Sequence, residues 1–271
     1  MTPDPRTEYL KQALSRRGLL GSIGAAALLS ACGTRGAVNP GNQAAGGGDS
    51  KTITWANWTL YLDYDDEART YPTLVQFEEE TGYTVEYRED IDDNVSFNGK
   101  VAPQLANGQD IGYDLVTPTD WLAAEWIRKG YCAPISEQTV PNKVNILPTL
   151  NDVSFDPGRE YSLTWQSGFA GLAWNKERIP NGLRTVEDLW APELRGKVVV
   201  LSEMRDTIGV IMLSQGVDIS EQFTDEQFMA GLAVLEQQVD SGQVKQVKGN
   251  SYKEDLINEQ AWAAIGWSGD I

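Results

Sequence analysis

The hydrophobic pattern divides the chain into three stretches. Residues 18–31 are small and apolar without a break, residues 33–50 are rich in Gly, Asn and Ala with no apolar periodicity, and a mixed pattern starts at Lys51. In that third stretch Thr52-Ile53-Thr54-Trp55-Ala56-Asn57-Trp58 alternates and is rich in β-formers, which predicts a first strand. Tyr71, Leu74, Val75 and Phe77 fall at helical spacing within residues 70–81, and Gly82 supplies a stop. Residues 83–88 read as a second strand, 90–94 as an acidic loop, and 97–107 as a helix ended by Gly108. Residues 113–117 read as a third strand, and 120–129 as a helix with Asp120 as N-cap and Gly130 as its stop. The order βαβαβα predicts a parallel, doubly wound α/β lobe.

The remainder repeats the class but not the sequence. Residues 160–175 hold two strand-like segments, the clearer at 169–175, and residues 185–190 look like a short capped helix. Gly196-Lys197-Val198-Val199-Val200-Leu201 is a strand that opens a second α/β unit. Helices are expected at 207–215, 225–238 and 255–258, and a last strand at 261–267. The expected organisation is one lobe at 51–165 and a second at 166–271. The chain stops at Trp267-Ser268-Gly269-Asp270-Ile271, a strand and turn where a helix or polar tail would end a domain more naturally. The expectation is a fragment of a longer protein with an incomplete second lobe.

The first two stretches read as an address. Arg16 and Arg17 precede an apolar run of about fourteen residues, too short for a membrane-spanning helix of about 20. That is the form of an export signal, and the twin arginines point to a route that carries folded proteins. Leu28-Leu29-Ser30-Ala31-Cys32 resembles a bacterial lipobox, in which the cysteine is lipidated and becomes the first mature residue. The other reading is a plain signal peptide or a buried N-terminal helix. Residues 1–31 are then a signal, and 32–50 a flexible tether to a membrane surface.

Composition narrows the chemistry. The formal charge of −17 disfavours nucleic acid, whose binding rests on cationic contacts to phosphate, and tilts slightly toward a cationic ligand. The chain has no histidine, which removes Ser-His-Asp and Cys-His catalysis and His-based zinc sites. With Cys32 assigned to lipid, Cys132 has no internal partner and reads as a buried structural thiol. No cofactor or metal is expected.

Several segments in order resemble the spermidine/putrescine-binding proteins of ABC importers. Ile53-Thr54-Trp55-Ala56-Asn57-Trp58-Thr59-Leu60-Tyr61 is similar to their first strand and loop. Phe77-Glu78-Glu79-Glu80-Thr81-Gly82 and Gly112-Tyr113-Asp114-Leu115-Val116-Thr117-Pro118-Thr119 follow in register. Leu189-Trp190-Ala191-Pro192-Glu193-Leu194-Arg195-Gly196-Lys197-Val198 and Trp267-Ser268-Gly269 complete the series. The resemblance implies a periplasmic-binding-protein-like fold of type II, with two lobes joined by a hinge and closing on a linear polyamine. Carboxylates would hold the ammonium groups and aromatic faces the methylenes.

By that resemblance Trp58 and Tyr61 fall on a first aromatic pair of the cleft, and Thr119 and Trp121 on a hydroxyl and an aromatic. Glu203 and Asp206 fall on two amine-contacting carboxylates, with the family's order of Asp and Glu exchanged. Trp267 falls on an aromatic of the second lobe. Each has a plainer reading: core packing for Trp58 and Trp267, packing on a helix turn for Trp121, and acids dressing a helix N-terminus for Glu203 and Asp206. Asp92 and Asp93 read as a solvated acidic loop, and Asp270 matches no site position. The hinge is expected near residues 163–170.

The resemblance also implies a permease partner in the cytoplasmic membrane, a lipid anchor at its outer face, a monomer, and capture without catalysis. The family's further aromatic and carboxylate would lie beyond Ile271, so weak or absent binding by residues 1–271 alone is expected. Two alternatives stay open. One is a binding protein for another small solute, with Arg205 as a carboxylate partner. The other is a carbohydrate-active enzyme using Glu203 and Asp206, although three residues on one turn do not flank a sugar from opposite faces.

Overall fold

A computed structural model describes residues 51–271. The signal, Cys32 and the tether lie outside the described residues. The first half runs β1 (Thr52–Trp58), α1 (Pro72–Thr81), β2 (Thr84–Ile91), α2 (Asn94–Ala106), β3 (Leu115–Val116) and α3 (Asp120–Arg128). A connecting region holds the short helix α4 (Pro148–Asn151) and a hairpin of β4 (Asp152–Val153) and β5 (Asp156–Pro157). The second half runs β6 (Ala170–Trp174), β7 (Val198–Leu201), α5 (Met204–Ser214), α6 (Asp225–Asp240), β8 (Val244–Lys248), α7 (Tyr252–Ile257) and β9 (Ala263–Trp267).

The first sheet has the order β2-β1-β3 and is parallel throughout, as the alternation of strands and helices predicts. β1 pairs Thr52 with Thr84 on one side and Trp55 with Leu115 on the other. Phe97 and Val101 of α2 and Leu122 and Trp126 of α3 close over Ala56, Trp58 and Ile91 to form its core. α1 buries no residue, and Gly82 ends it in the left-handed region at φ 69°, returning its N–H to the Glu78 carbonyl.

The second sheet has the order β6-β9-β7-β8 and is mixed: β9 is antiparallel to β6 and parallel to β7. All four residues of β7 are buried, which explains its unbroken Val-Val-Val-Leu run. Ile211, Tyr252, Ala263, Ala264 and Ile265 pack around it.

Four local expectations are corrected. Thr119, not Asp120, stands at the N-cap of α3, and its carbonyl takes the first helical bonds from Leu122 and Ala123. The loop expected at 90–94 shrinks to a turn at Asp92 and Asp93: β2 runs to Ile91 and α2 begins at Asn94, with Asp93 capping it by accepting the Ser96 N–H at 2.8 Å. Only β6 forms within 160–175. The earlier residues are instead gathered around the Asp156 carboxylate, which accepts the N–H groups of Glu160, Tyr161 and Ser162. Helix α5 starts three residues earlier than its apolar run, at Met204, which puts Glu203 at its N-cap.

Candidate functional site

The two sheets meet where the C-terminal ends of β1, β2, β7 and β8 open into turns. Ligands of α/β folds bind at such strand ends. Four of the seven side chains singled out in the sequence, Trp58, Tyr61, Trp267 and Asp206, form one run of contacts there, Trp121 and Glu203 form a second pair, and Thr119 joins that pair through Asn94.

From the first half, β1 ends at Trp58, whose indole N–H donates to the Thr117 carbonyl at 2.7 Å. Tyr61, in the following loop, stacks on Trp58 with ring centroids 6.0 Å apart and planes 28° from parallel. Trp58 is almost wholly buried, so the packing reading of this residue describes its position, while one side of it still meets the second half. Trp121, in the first turn of α3, points its indole N–H at Glu203 Oε2, 2.9 Å away.

From the second half, Glu203 and Asp206 stand at the N-cap and in the first turn of α5, where the helix dipole favours negative charge. The dressed-terminus reading and the cleft reading therefore hold for the same atoms. Glu203 is buried, and its Oε2 also accepts Asn94 Nδ2–H at 2.9 Å. Asp206 Oδ2 accepts the Trp267 indole N–H at 2.6 Å. Trp267 itself packs edge-on against Trp58, with centroids 5.9 Å apart and planes at 78°. Each carboxylate is thus held by an indole N–H, and the three rings Tyr61, Trp58 and Trp267 lie in contact on the Asp206 side.

Burial pushes the Asp206 carboxyl above its ordinary value; the Trp267 hydrogen bond opposes the shift and the charge of Glu203 adds to it. Burial likewise raises the Tyr61 phenol, opposed by Gln166 and reinforced by Asp270 and Asp206. Arg205, which is exposed, lies over the Trp121 ring at 5.9 Å from its centroid.

Thr119 does not meet the carboxylates directly. Its Oγ1 accepts from Asn94 Nδ2 at 2.7 Å, and its N–H donates to Asn94 Oδ1 at 3.1 Å. Asn94 is thus the residue that sequence reasoning missed. It is buried and engaged on both sides, but the partners that make it so lie 25 and 109 positions away, so no local pattern marks it. Tyr252 was missed as well. Its hydroxyl accepts the Trp267 N–H at 2.9 Å and donates to Asp270 Oδ2 at 2.9 Å, with Lys253 Nζ 3.3 Å from the other oxygen. Asp270 therefore has a place: it anchors the turn that carries Trp267.

Asp92 and Asp93 correct another expectation. They are not simply solvated. Asp93 accepts from the Ser202 hydroxyl, and Asp92 accepts the N–H groups of Asn250 and Ser251 at 2.8 Å each. Cys132 is half-buried at the edge of the first core, and burial raises its thiol, which makes it a poor nucleophile. Among the described residues no group of His, Cys, Asp and Glu is arranged to hold a metal ion, and no helix is long and apolar enough to cross a membrane.

The chain is similar to several known proteins. The spermidine/putrescine-binding periplasmic protein of Escherichia coli is 27% identical over 183 residues, which cover 67% of this chain and 49% of that protein. The putrescine-binding periplasmic protein SpuD of Pseudomonas aeruginosa is 28% identical, over 82% of this chain and 60% of its own length. The chain thus spans about half to two thirds of the length of the curated relatives it matches. A solved chain described as a spermidine/putrescine ABC transporter of Listeria monocytogenes superposes with a TM-score of 0.67 at 25% identity, over 82% of this chain and 64% of that one. The Tp0655 (TpPotD) lipoprotein of Treponema pallidum shares the fold, with a TM-score of 0.64 at 23% identity, over 81% and 63% of the two chains. The α/β architecture is therefore that of the periplasmic binding proteins. The model of the bacterial extracellular solute-binding proteins matches residues 73–271, and the chain belongs to that family.

Proposed function

We propose that this protein is the solute-capturing component of an ABC importer and that its ligand is a linear polyamine. The observation that carries the reading is the paired arrangement of Glu203 and Asp206, each accepting an indole N–H and together flanked by the rings of Trp58, Tyr61, Trp121 and Trp267. Indole N–H donors fix the carboxylates without neutralising them. Each keeps a second oxygen for an ammonium group, and charge-assisted bonds of that kind are worth about 1.5–3 kcal/mol each. Ring faces beside them suit the methylene spacers and the cation edge. The names of the relatives, which specify spermidine and putrescine, agree with this chemistry.

In this reading no bond is made or broken. Residues 51–165 and 166–271 act as two lobes that close on the ligand, turning about the strands and segment near residues 163–170, and the closed form is handed to a permease. A monomer held by lipid on Cys32 and the tether of residues 32–50 would stay beside that permease on the outer face of the membrane.

Titration with spermidine to millimolar concentration, followed by the indole N–H resonances in nuclear magnetic resonance, tests the proposal even where affinity is weak. The Trp121 and Trp267 signals should shift with spermidine and putrescine, and stay put with an uncharged diol of equal length or with matched salt. Indole signals that ignore polyamines, or that follow the diol equally, overturn it.

A further inference from the structure

The seam between the two halves contains more than the aromatic site. Three consecutive residues at the β2–α2 junction each bond to the second half. The Asp92 carbonyl accepts the Asn250 N–H at 2.8 Å, and its Oδ1 accepts the Ser251 N–H at 2.8 Å. Asp93 accepts from the Ser202 hydroxyl, and Asn94 donates to Glu203 at 2.9 Å. Asn250 returns the contact, donating through Nδ2 to the Thr59 carbonyl at 3.0 Å and to Thr59 Oγ1 at 2.8 Å. Asn250 is fully buried by this arrangement.

Gly249 shows how close the approach is. A Cβ built there would stand 2.0 Å from the Asp92 carbonyl oxygen and 2.7 Å from its carbon, and both obstacles are backbone. Gly249 is not among the residues with positive φ, so an alanine is compatible with its own turn and incompatible only with the opposing half.

We propose that the turns 92–94 and 249–251 form a latch that holds the cleft shut through protein–protein bonds alone, and that Gly249 is the residue whose missing side chain lets it engage. Every bond in it joins one half of the chain to the other, and all lie beside the aromatic and acidic cluster. Through Asn94 the latch also sets the position of Glu203, so engagement and presentation of that carboxylate are one event. A closed population should then exist before any ligand arrives, and capture should draw on it.

Amide hydrogen exchange of the full chain, read by mass spectrometry with no ligand added, measures this directly. The Asn250 and Ser251 N–H groups are donors in the latch, so peptides covering 249–252 should be protected in the unaltered protein. Gly249→Ala should speed their exchange about tenfold or more, while peptides of β7 and β9 keep their rates. If Gly249→Ala fails to fold, Asp92→Ala combined with Ser202→Ala removes side-chain bonds of the latch and leaves backbone geometry free to fold; it should speed the same peptides. Unprotected 249–252 peptides in the unaltered protein, or unchanged rates in a folded variant, overturn the latch. A second arm adds spermidine. Failure of spermidine to slow exchange would count against the proposed ligand and leave the latch result standing.

Discussion

The two halves of the molecule build their cores from different materials. Three of the seven buried core residues of the first half are rings: Trp58, Phe97 and Trp126. The second half packs sixteen buried residues, nearly all small or aliphatic, around the wholly buried β7. The difference follows through to the seam. Small side chains let β7 run straight through its core and release Glu203 and Asp206 at its end, on the first turn of α5. The ring-built half brings Trp58, Tyr61 and Trp121 to the same place. One half thus contributes mainly charge and the other mainly π-surface and neutral donors, with Trp267 crossing between them.

The sharpest way to break this contrast is at the cores. Leu201→Ala empties a closely packed aliphatic position and should cost about 2–5 kcal/mol in urea unfolding. Val75→Ala on α1, which buries nothing and lies outside the ring-built core, should stay within about 0.5 kcal/mol. Equal costs at the two positions would mean that Leu201 is not the closely packed position its burial describes.

Next in size is the charge itself. Asp206→Asn keeps an acceptor for the Trp267 indole N–H and removes the buried charge. Spermidine affinity should fall about tenfold or more, the worth of one charge-assisted bond, while the melting temperature holds or rises. Loss of both affinity and stability would recast Asp206 as a structural acid.

The same residue gives a pH signature. Because burial raises its folded-state pKa, ionised Asp206 costs stability above that pKa, and the cost fades as pH falls through it. The stability gap between Asp206→Asn and the unaltered protein should therefore narrow from pH 7 toward pH 4, about the ordinary carboxylate value. Polyamine binding, which favours the ionised form, should weaken over the same interval and release protons, seen as a buffer-dependent heat in calorimetry. A gap that widens with acid contradicts the assignment.

The smallest effect concerns Arg205 on the Trp121 ring. Removing an exposed like charge at the cleft edge by Arg205→Ala should raise spermidine affinity by about two- to fivefold at low salt, and less in high salt. A fall in affinity would favour a ligand that carries a carboxylate.

Much of the fold was legible because its signals are local. The β1 alternation, the Val-Val-Val-Leu of β7 and the glycine stops at 82, 108 and 130 each act within a few residues, and each element stands where the pattern puts it. Strand β8 was not legible. Its Val-Lys-Gln-Val-Lys has one buried residue, and Lys248 turns to the buried Asp255 carboxylate at 2.9 Å, so its apolar signal is weak, as edge strands often are. At the site, the aromatic and acidic residues could be named because the family resemblance names them and their types fit the chemistry. Asn94, Tyr252 and Gly249 could not. Their importance comes from what lies opposite them in space, and a buried amide, a phenol and a glycine look ordinary in one dimension.

Gly249 also bears on the mechanics of the molecule. Where two halves touch through long side chains, intermediate separations cost little, because rotamers take up the slack. Here main chain meets main chain at the distance of a hydrogen bond, with no side chain between them to act as a cushion. The joint should therefore behave as a snap fastener rather than a spring, either seated or released, and ligand should alter how often it is seated more than how far the cleft is open.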